Sequence, residues 1–155
     1  VTGGKWTTYR NMAEDCVNQA AVLARLPEHA SVTRNLNIHG FHQHADRFGA
    51  LRFYGSDAPA LQDLIRHEPA LGEPLDVALP ICGAEVVWAA RREMARTVED
   101  VLARRTRALF LNARAALRMA PAVARLLARE LGRDAAWVEL QLPAFESVAR
   151  GYLPV

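Results

Sequence analysis

The sequence predicts a mainly α chain in two parts, a strand-turn-helix unit at its start and an all-α helical bundle after residue 55. Three observations carry this reading. Apolar residues recur at three- and four-residue intervals over most of the length. Gly3 and Gly4 break the chain immediately before the first such stretch. Proline and glycine then cut the second half into pieces of helix size, at Pro59, Pro69, Gly72, Pro74, Pro80 and Gly132. The boundaries expected from these shifts are 1–38 for the first part, 39–55 for a linker and 56–155 for the helical domain.

Composition narrows the classes. The chain has 155 residues, 51% hydrophobic and 23% charged, the balance of a globular protein with a real core. A formal charge of +2 is too small to argue for nucleic acid as a partner. Cys16 and Cys82 are scattered, which suits a reducing, cytoplasmic compartment. No run approaches the roughly 20 apolar residues needed to span a bilayer. Lys5 is the only lysine, and every other fixed positive side chain is arginine, a usage that suits a GC-rich bacterial genome.

Taken in order, Val1 and Thr2 read as the end of a strand, and Gly3-Gly4 as a turn. A helix follows from Thr7 or Thr8 to about Leu26. Its apolar stripe runs through Tyr9, Met12, Ala13, Cys16, Val17, Ala20 and Leu23 or Ala24. Such a stripe has to rest against something, and a strand without a partner before it is expected to be the tail of a domain that continues upstream. Pro27 stops the helix. Residues 31–40 read as extended chain, with a short strand near Val32 or Leu36–Ile38, and a polar loop leads on to Gly55.

The next helix starts at Ser56 or Asp57, with Pro59 in its first turn, and turns Leu61, Leu64 and Ile65 inward. Glu68-Pro69 ends it, and a turn-rich connection follows. A helix is expected from Gly83 to Ala95, burying Val87, Ala90 and Met94. Thr97, with Asp100 three residues on, opens another. That helix points Val98, Val101 and Leu102 inward and pairs Asp100 with Arg104. Arg107 to Arg118 continues it past a kink near Thr106, burying Leu109, Phe110 and Ala113. Pro121 marks a further first turn, and Val123, Leu126, Leu127 and Leu131 run to a stop at Gly132. Asp134 caps the last helix, whose stripe is Trp137, Leu140, Ala144, Phe145 and Val148, kinked by Pro143 and ending at Gly151.

Three groups of residues are candidates for chemistry. Gly3-Gly4-Lys5-Trp6-Thr7-Thr8 places flexible backbone, a helix start with open N–H groups and a compact cation at one junction. That suits an electron-rich ligand or a phosphate; the plain alternative is a glycine-rich loop with an exposed lysine. His39, His42 and His44 fall within six positions with Asp46 nearby, a pattern that could hold zinc, although a solvated loop is the default. Arg91, Arg92, Arg96, Arg104, Arg105, Arg107, Arg114 and Arg118 form a basic stretch. It could track phosphates on nucleic acid or lipid, but interspersed Glu93, Glu99 and Asp100 favour a solvated face with ion pairs.

The segment from Thr2 through Arg10, with Met12-Ala13-Glu14-Asp15, resembles the last βα unit of FAD-dependent, aerobic-type glycerol-3-phosphate dehydrogenases. Phe53-Tyr54-Gly55-Ser56-Asp57-Ala58 and the run from Glu93 to Arg107 resemble the helical C-terminal domain of the same family. The resemblance implies that residues 1–38 are the remnant of a Rossmann-like FAD domain. It further implies oxidation of sn-glycerol 3-phosphate to dihydroxyacetone phosphate by hydride transfer to FAD, with electrons passed to quinone. By carry-over, Gly3, Gly4, Lys5, Trp6, Thr7 and Thr8 would contact the flavin, and Lys5 the flavin or the substrate phosphate. Peripheral contact with the inner face of the cell membrane and a possible homodimer are part of the same expectation; nucleic acid is not. Two alternatives stay open, an oxidase that uses oxygen and a non-catalytic helical module for dimerisation or membrane docking.

Overall fold

A computed structural model describes residues 3–153, so the strand expected at Val1 and Thr2 lies outside the described residues. The chain divides between Phe41 and His42 into two compact units.

The first unit is built on one helix. A 3-10 turn, Trp6–Thr8, leads into α1, Tyr9–Leu23. The end comes three residues before the expected Leu26, because Ala24 closes it and Arg25 takes the left-handed conformation at φ 53°. Arg10 pairs with Glu14 at 2.6 Å and donates to the hydroxyl of Thr33, which ties the tail to the helix. The anticipated stripe is present, but it is not buried: no residue of α1 is, and Leu23 is 86% exposed. Residues 31–40 form turns and bends, not the short strand expected there. Strand propensity without a neighbouring strand to pair with has no ladder to form.

The second unit has its own core. The polar loop expected up to Gly55 is instead a run of tight helical turns, Ala45–Asp57, broken at Gly49 and Gly55 by positive φ. Leu51 and Gly55 are buried in it. α2, Ala58–His67, starts with Pro59 as its second residue and buries Ala58 and Leu61 against Leu51, Phe48 and Tyr54. A two-stranded antiparallel hairpin follows, β1 (Pro74–Asp76) with β2 (Leu79–Cys82), where a turn-rich connection was expected. Prolines at 74 and 80 are tolerable because a two-stranded hairpin has only edge strands. The domain is thus mainly α, not all-α.

α3, Gly83–Arg92, is the central element, with seven of its ten residues buried. One side of it packs Val86, Ala89 and Ala90 into the main core, and the other packs Ala84 and Val87 against Leu71. It stops before the expected Ala95. Met94 adopts φ 56° and points outward at 76% exposure instead of extending the buried row. Thr97 and Asp100 form the expected reciprocal cap. The turn that follows is a wide π-type coil over Asp100–Arg105, with Val98, Val101 and Leu102 buried.

The long helix expected across Arg107–Arg118 is broken in two. Arg107 at φ 61° turns the chain into the single-turn α4, Ala108–Leu111, and Asn112 then caps α5, Ala113–Leu131. The break leaves Phe110 58% exposed, whereas Leu109 and Ala113 are buried. Pro121 sits inside α5 rather than in a first turn. α5 ends at Gly132 in the left-handed conformation, and Asp134 caps α6, Ala135–Arg150. α5 and α6 close the core over Met119, Val123, Leu127 and Phe145. Leu140 and Ala144 of the expected α6 stripe face out, while Trp137 and Val148 pack against the core.

Candidate functional site

In the first unit, Gly3 and Gly4 take φ of 85° and 107°, a region that disfavours side chains. A Cβ on Gly3 would meet nothing within 4 Å, so that backbone is open to approach from outside. A Cβ on Gly4 would meet the Met12 thioether, the movable end of a flexible side chain, so it is the positive φ that calls for glycine there. Lys5 is extended, at φ −81° and ψ 141°, and begins the helix without any side-chain cap. Thr8 turns inward on itself: both its N–H and its hydroxyl donate to the Lys5 carbonyl at 3.0 Å. Trp6 is 87% exposed, with its ring 5.9 Å from that of Tyr9.

All six residues, Gly3 through Thr8, are exposed. The first three begin a bare helix start beside a shallow cavity that Gly3 and Gly4 line with Met12, Cys16 and Leu23. Open N–H groups, the positive end of the helix dipole and one ammonium suit partial negative charge on a flat ring approaching Gly3. These residues therefore fit the polar edge of a flavin. The sequence contains no G-x-G-x-x-G fingerprint.

The histidine loop gathers no metal site. His42 accepts the His44 N–H at its Nδ1 at 3.0 Å and meets Phe48 edge-on, contacts that order the loop. Among the described residues no three His, Cys, Asp or Glu are placed to hold a metal ion. Half of the basic stretch is ion-paired. Arg91 holds Glu130, Arg104 holds Glu99 and Asp100, and Arg118 holds Asp76 with two bonds at 2.7 and 2.9 Å. Arg118 and the Ala78 N–H hold the Asp76 carboxyl down at about 2.

A polar cluster that the sequence did not single out lies in the second unit. Glu85, only 7% exposed, accepts the Cys82 N–H at 2.8 Å and the Tyr54 hydroxyl at 3.2 Å. Burial pushes its carboxyl up, and those two hydrogen bonds pull the other way. Burial also raises the Tyr54 hydroxyl and the Cys82 thiol, with the Glu85 charge adding to both. Close by, Arg105 donates twice to the Glu93 carbonyl, at 2.9 and 2.6 Å. Of the two stretches that carry the family resemblance downstream, one is thus tied to α3 through Tyr54 and Glu85, and the other is closed on itself through Arg105 and Glu93. The available signal was the spacing Cys82-x-x-Glu85, in which an acid at the third helical position reaches back to the residue before the helix. Tyr54 and the Cys82 N–H are bonded to Glu85, and Arg105 is bonded separately to Glu93, so these groups serve as anchors within the fold.

Residues 2–138 match the DAO_C family, described as the C-terminal domain of alpha-glycerophosphate oxidase. Among curated relatives, a Caenorhabditis elegans protein described as "Probable glycerol-3-phosphate dehydrogenase, mitochondrial" is 34% identical over 92% of this chain and 22% of its own length. The mitochondrial glycerol-3-phosphate dehydrogenase of Rattus norvegicus is 33% identical over 91% of this chain and 22% of its own. For the Arabidopsis thaliana enzyme the figures are 32%, 84% and 25%. No solved structure matches the chain significantly. The chain spans about a quarter or less of the length of these relatives. With the match covering most of the chain, and a mainly α second unit behind an exposed glycine turn, the protein belongs to the family of the glycerophosphate oxidase C-terminal domain.

Proposed function

We propose that this chain is the C-terminal part of an FAD-dependent enzyme that oxidises sn-glycerol 3-phosphate to dihydroxyacetone phosphate. The observation that carries the reading is the Gly3–Thr8 turn: two positive-φ glycines, an uncapped helix start and the chain's one lysine, all exposed. FAD, when bound, would supply the hydride-accepting chemistry. The residues here would do the holding. Gly3 lets the ring approach, the helix start and Lys5 offset negative charge on its polar edge, and Lys5 is also within the turn's reach for a substrate phosphate. The exposed stripe of α1 is suited to rest on the sheet of an FAD-binding portion upstream, with residues 1–38 as that portion's last βα unit, 39–55 as linker and 56–155 as the helical domain.

The electron acceptor is proposed as quinone, at the inner face of the cell membrane, with the protein held there peripherally; among the described residues no helix is long and apolar enough to cross a membrane. A homodimer is compatible with this arrangement. The oxidase description of the matched family favours a second reading, in which oxygen accepts the electrons. Assays of the longer protein with quinone analogues against oxygen, scoring peroxide, separate the two. The central test is cheaper. The 155-residue chain alone is expected to be colourless and inactive, because the dinucleotide site lies elsewhere. A yellow preparation that reduces dye with sn-glycerol 3-phosphate would refute the division of labour proposed here. In the longer protein, Lys5→Ala should raise KM for the substrate or weaken flavin retention without lowering the melting temperature.

A further inference from the structure

We propose that Thr8 is a positioning residue for Lys5: its hydroxyl pins the Lys5 carbonyl and so fixes the peptide from which the ammonium and the open N–H of the turn project. This role rests on the reading of the turn as the polar edge of a flavin site and deepens it. A free carbonyl at this point would have the wrong sign for an electron-rich ring. Thr8 occupies that carbonyl twice over, since its backbone N–H and its hydroxyl both donate to it at 3.0 Å. The first bond is the ordinary one of a tight helical turn, and the second is an addition that only a hydroxyl side chain three residues on can make.

The consequence follows from the geometry of the peptide. The unit is planar and trans, so its C=O and N–H point opposite ways. With the Lys5 carbonyl drawn towards Thr8, the Trp6 N–H of the same peptide is sent out of the helix start, where it has no intrahelical acceptor. On the other side of that peptide the Lys5 backbone is held at φ −81° and ψ 141°. One side-chain bond thus sets both a backbone donor and the root of the chain's only lysine. Both lie next to the cavity of about 480 Å³ that Gly3 and Gly4 line with Met12, Cys16 and Leu23. The neighbouring Thr7 hydroxyl has no hydrogen-bond partner among the described residues, so the turn uses one of its two threonines in this way. Valine at position 8 would keep the branched shape and lose only the bond, whereas serine would keep the bond.

The single lysine also provides the test, because a lysine-specific protease can cut this chain only at the Lys5–Trp6 bond. In the whole 155-residue chain, Thr8→Val should be cut about fivefold faster than wild type, each rate referenced to the same variant in urea. Thr8→Ser and Thr7→Val should be cut at the wild-type rate. In the longer protein, Thr8→Val should lower the flavin midpoint potential by about 20 mV, a fivefold shift of a two-electron equilibrium. It should also lower kcat about fivefold at unchanged KM for sn-glycerol 3-phosphate and unchanged melting temperature, and Thr8→Ser should restore both values. Cleavage of Thr8→Val at the wild-type rate would overturn the pinning. Faster cleavage with unchanged potential and kcat would overturn its bearing on the flavin. A wild-type longer protein that held no flavin would instead sink the reading of the site itself, and the positioning role with it, whatever the cleavage rates.

Discussion

α1 and α5 show the same apolar rhythm and come to different ends. α5 has nine buried residues of nineteen, because α3, α6 and the turns before it close over its inner face. α1 has none of fifteen, because nothing in its own unit covers Tyr9, Val17 or Leu23. An amphipathic stripe is a demand for a partner and says nothing about where the partner is. In one unit the demand is met by neighbouring helices; in the other it is left showing, which is what one expects of a helix that serves a larger assembly.

That contrast is open to attack at several sizes of effect. Phe145 is fully buried at the α5–α6 contact, and Phe145→Ala should cost about 3–5 kcal/mol of stability, enough to unfold much of the sample in a thermal melt. An unchanged melting temperature would mean that the second unit does not owe its stability to this core. Removing the α5 cap is a middle-sized change: Asn112 Oδ1 accepts the Ala115 N–H at 3.0 Å, so Asn112→Ala should cost about 1 kcal/mol in urea unfolding.

The pH profile separates two carboxylates of opposite character. Burial raises the Glu85 carboxyl, so the stability it contributes is full below the ordinary glutamate range and is lost as pH rises through the folded value. Wild type should therefore lose ground to Glu85→Gln as pH rises. Asp76 is held at about 2, so its contribution is present above the ordinary aspartate range and lost only as pH falls through that value. The advantage of wild type over Asp76→Asn should vanish in strong acid. Smallest of all should be Val17→Ala and Leu23→Ala on the uncovered stripe, within about 0.5 kcal/mol by denaturant melts of this chain. A larger loss would show that α1 is already covered and would remove the contrast.

Much of the second unit was legible because its signals are local. Thr97 with Asp100, and Asp134, cap helices, and Gly132 ends one, through contacts three or four residues away. The glycine turn was legible for the same reason, since Gly3 and Gly4 need no distant partner to take positive φ. What failed was whatever depended on the far side of a contact. Phe110 and Met94 sat in apolar rows but face solvent, because Arg107 and Met94 take left-handed backbone and break the row's phase. The hairpin was hidden because prolines mask strands. Pro121 looked like a helix start only because a proline in mid-helix is costly, a cost that α5 offsets by its buried face.

The amino-acid sequence by itself determined the caps at Thr97 and Asp134, the stop at Gly132, where the glycine turn lies and which faces are apolar, since each is settled within one or two turns of chain. Only the tertiary structure decided which apolar faces are covered, that α3 is the centre, and that Tyr54 reaches Glu85 on it while Arg105 reaches Glu93 just past its end. Those outcomes depend on surfaces brought together from residues tens of positions apart. Burial and pairing are properties of the assembled neighbours, not of the segment that seeks them.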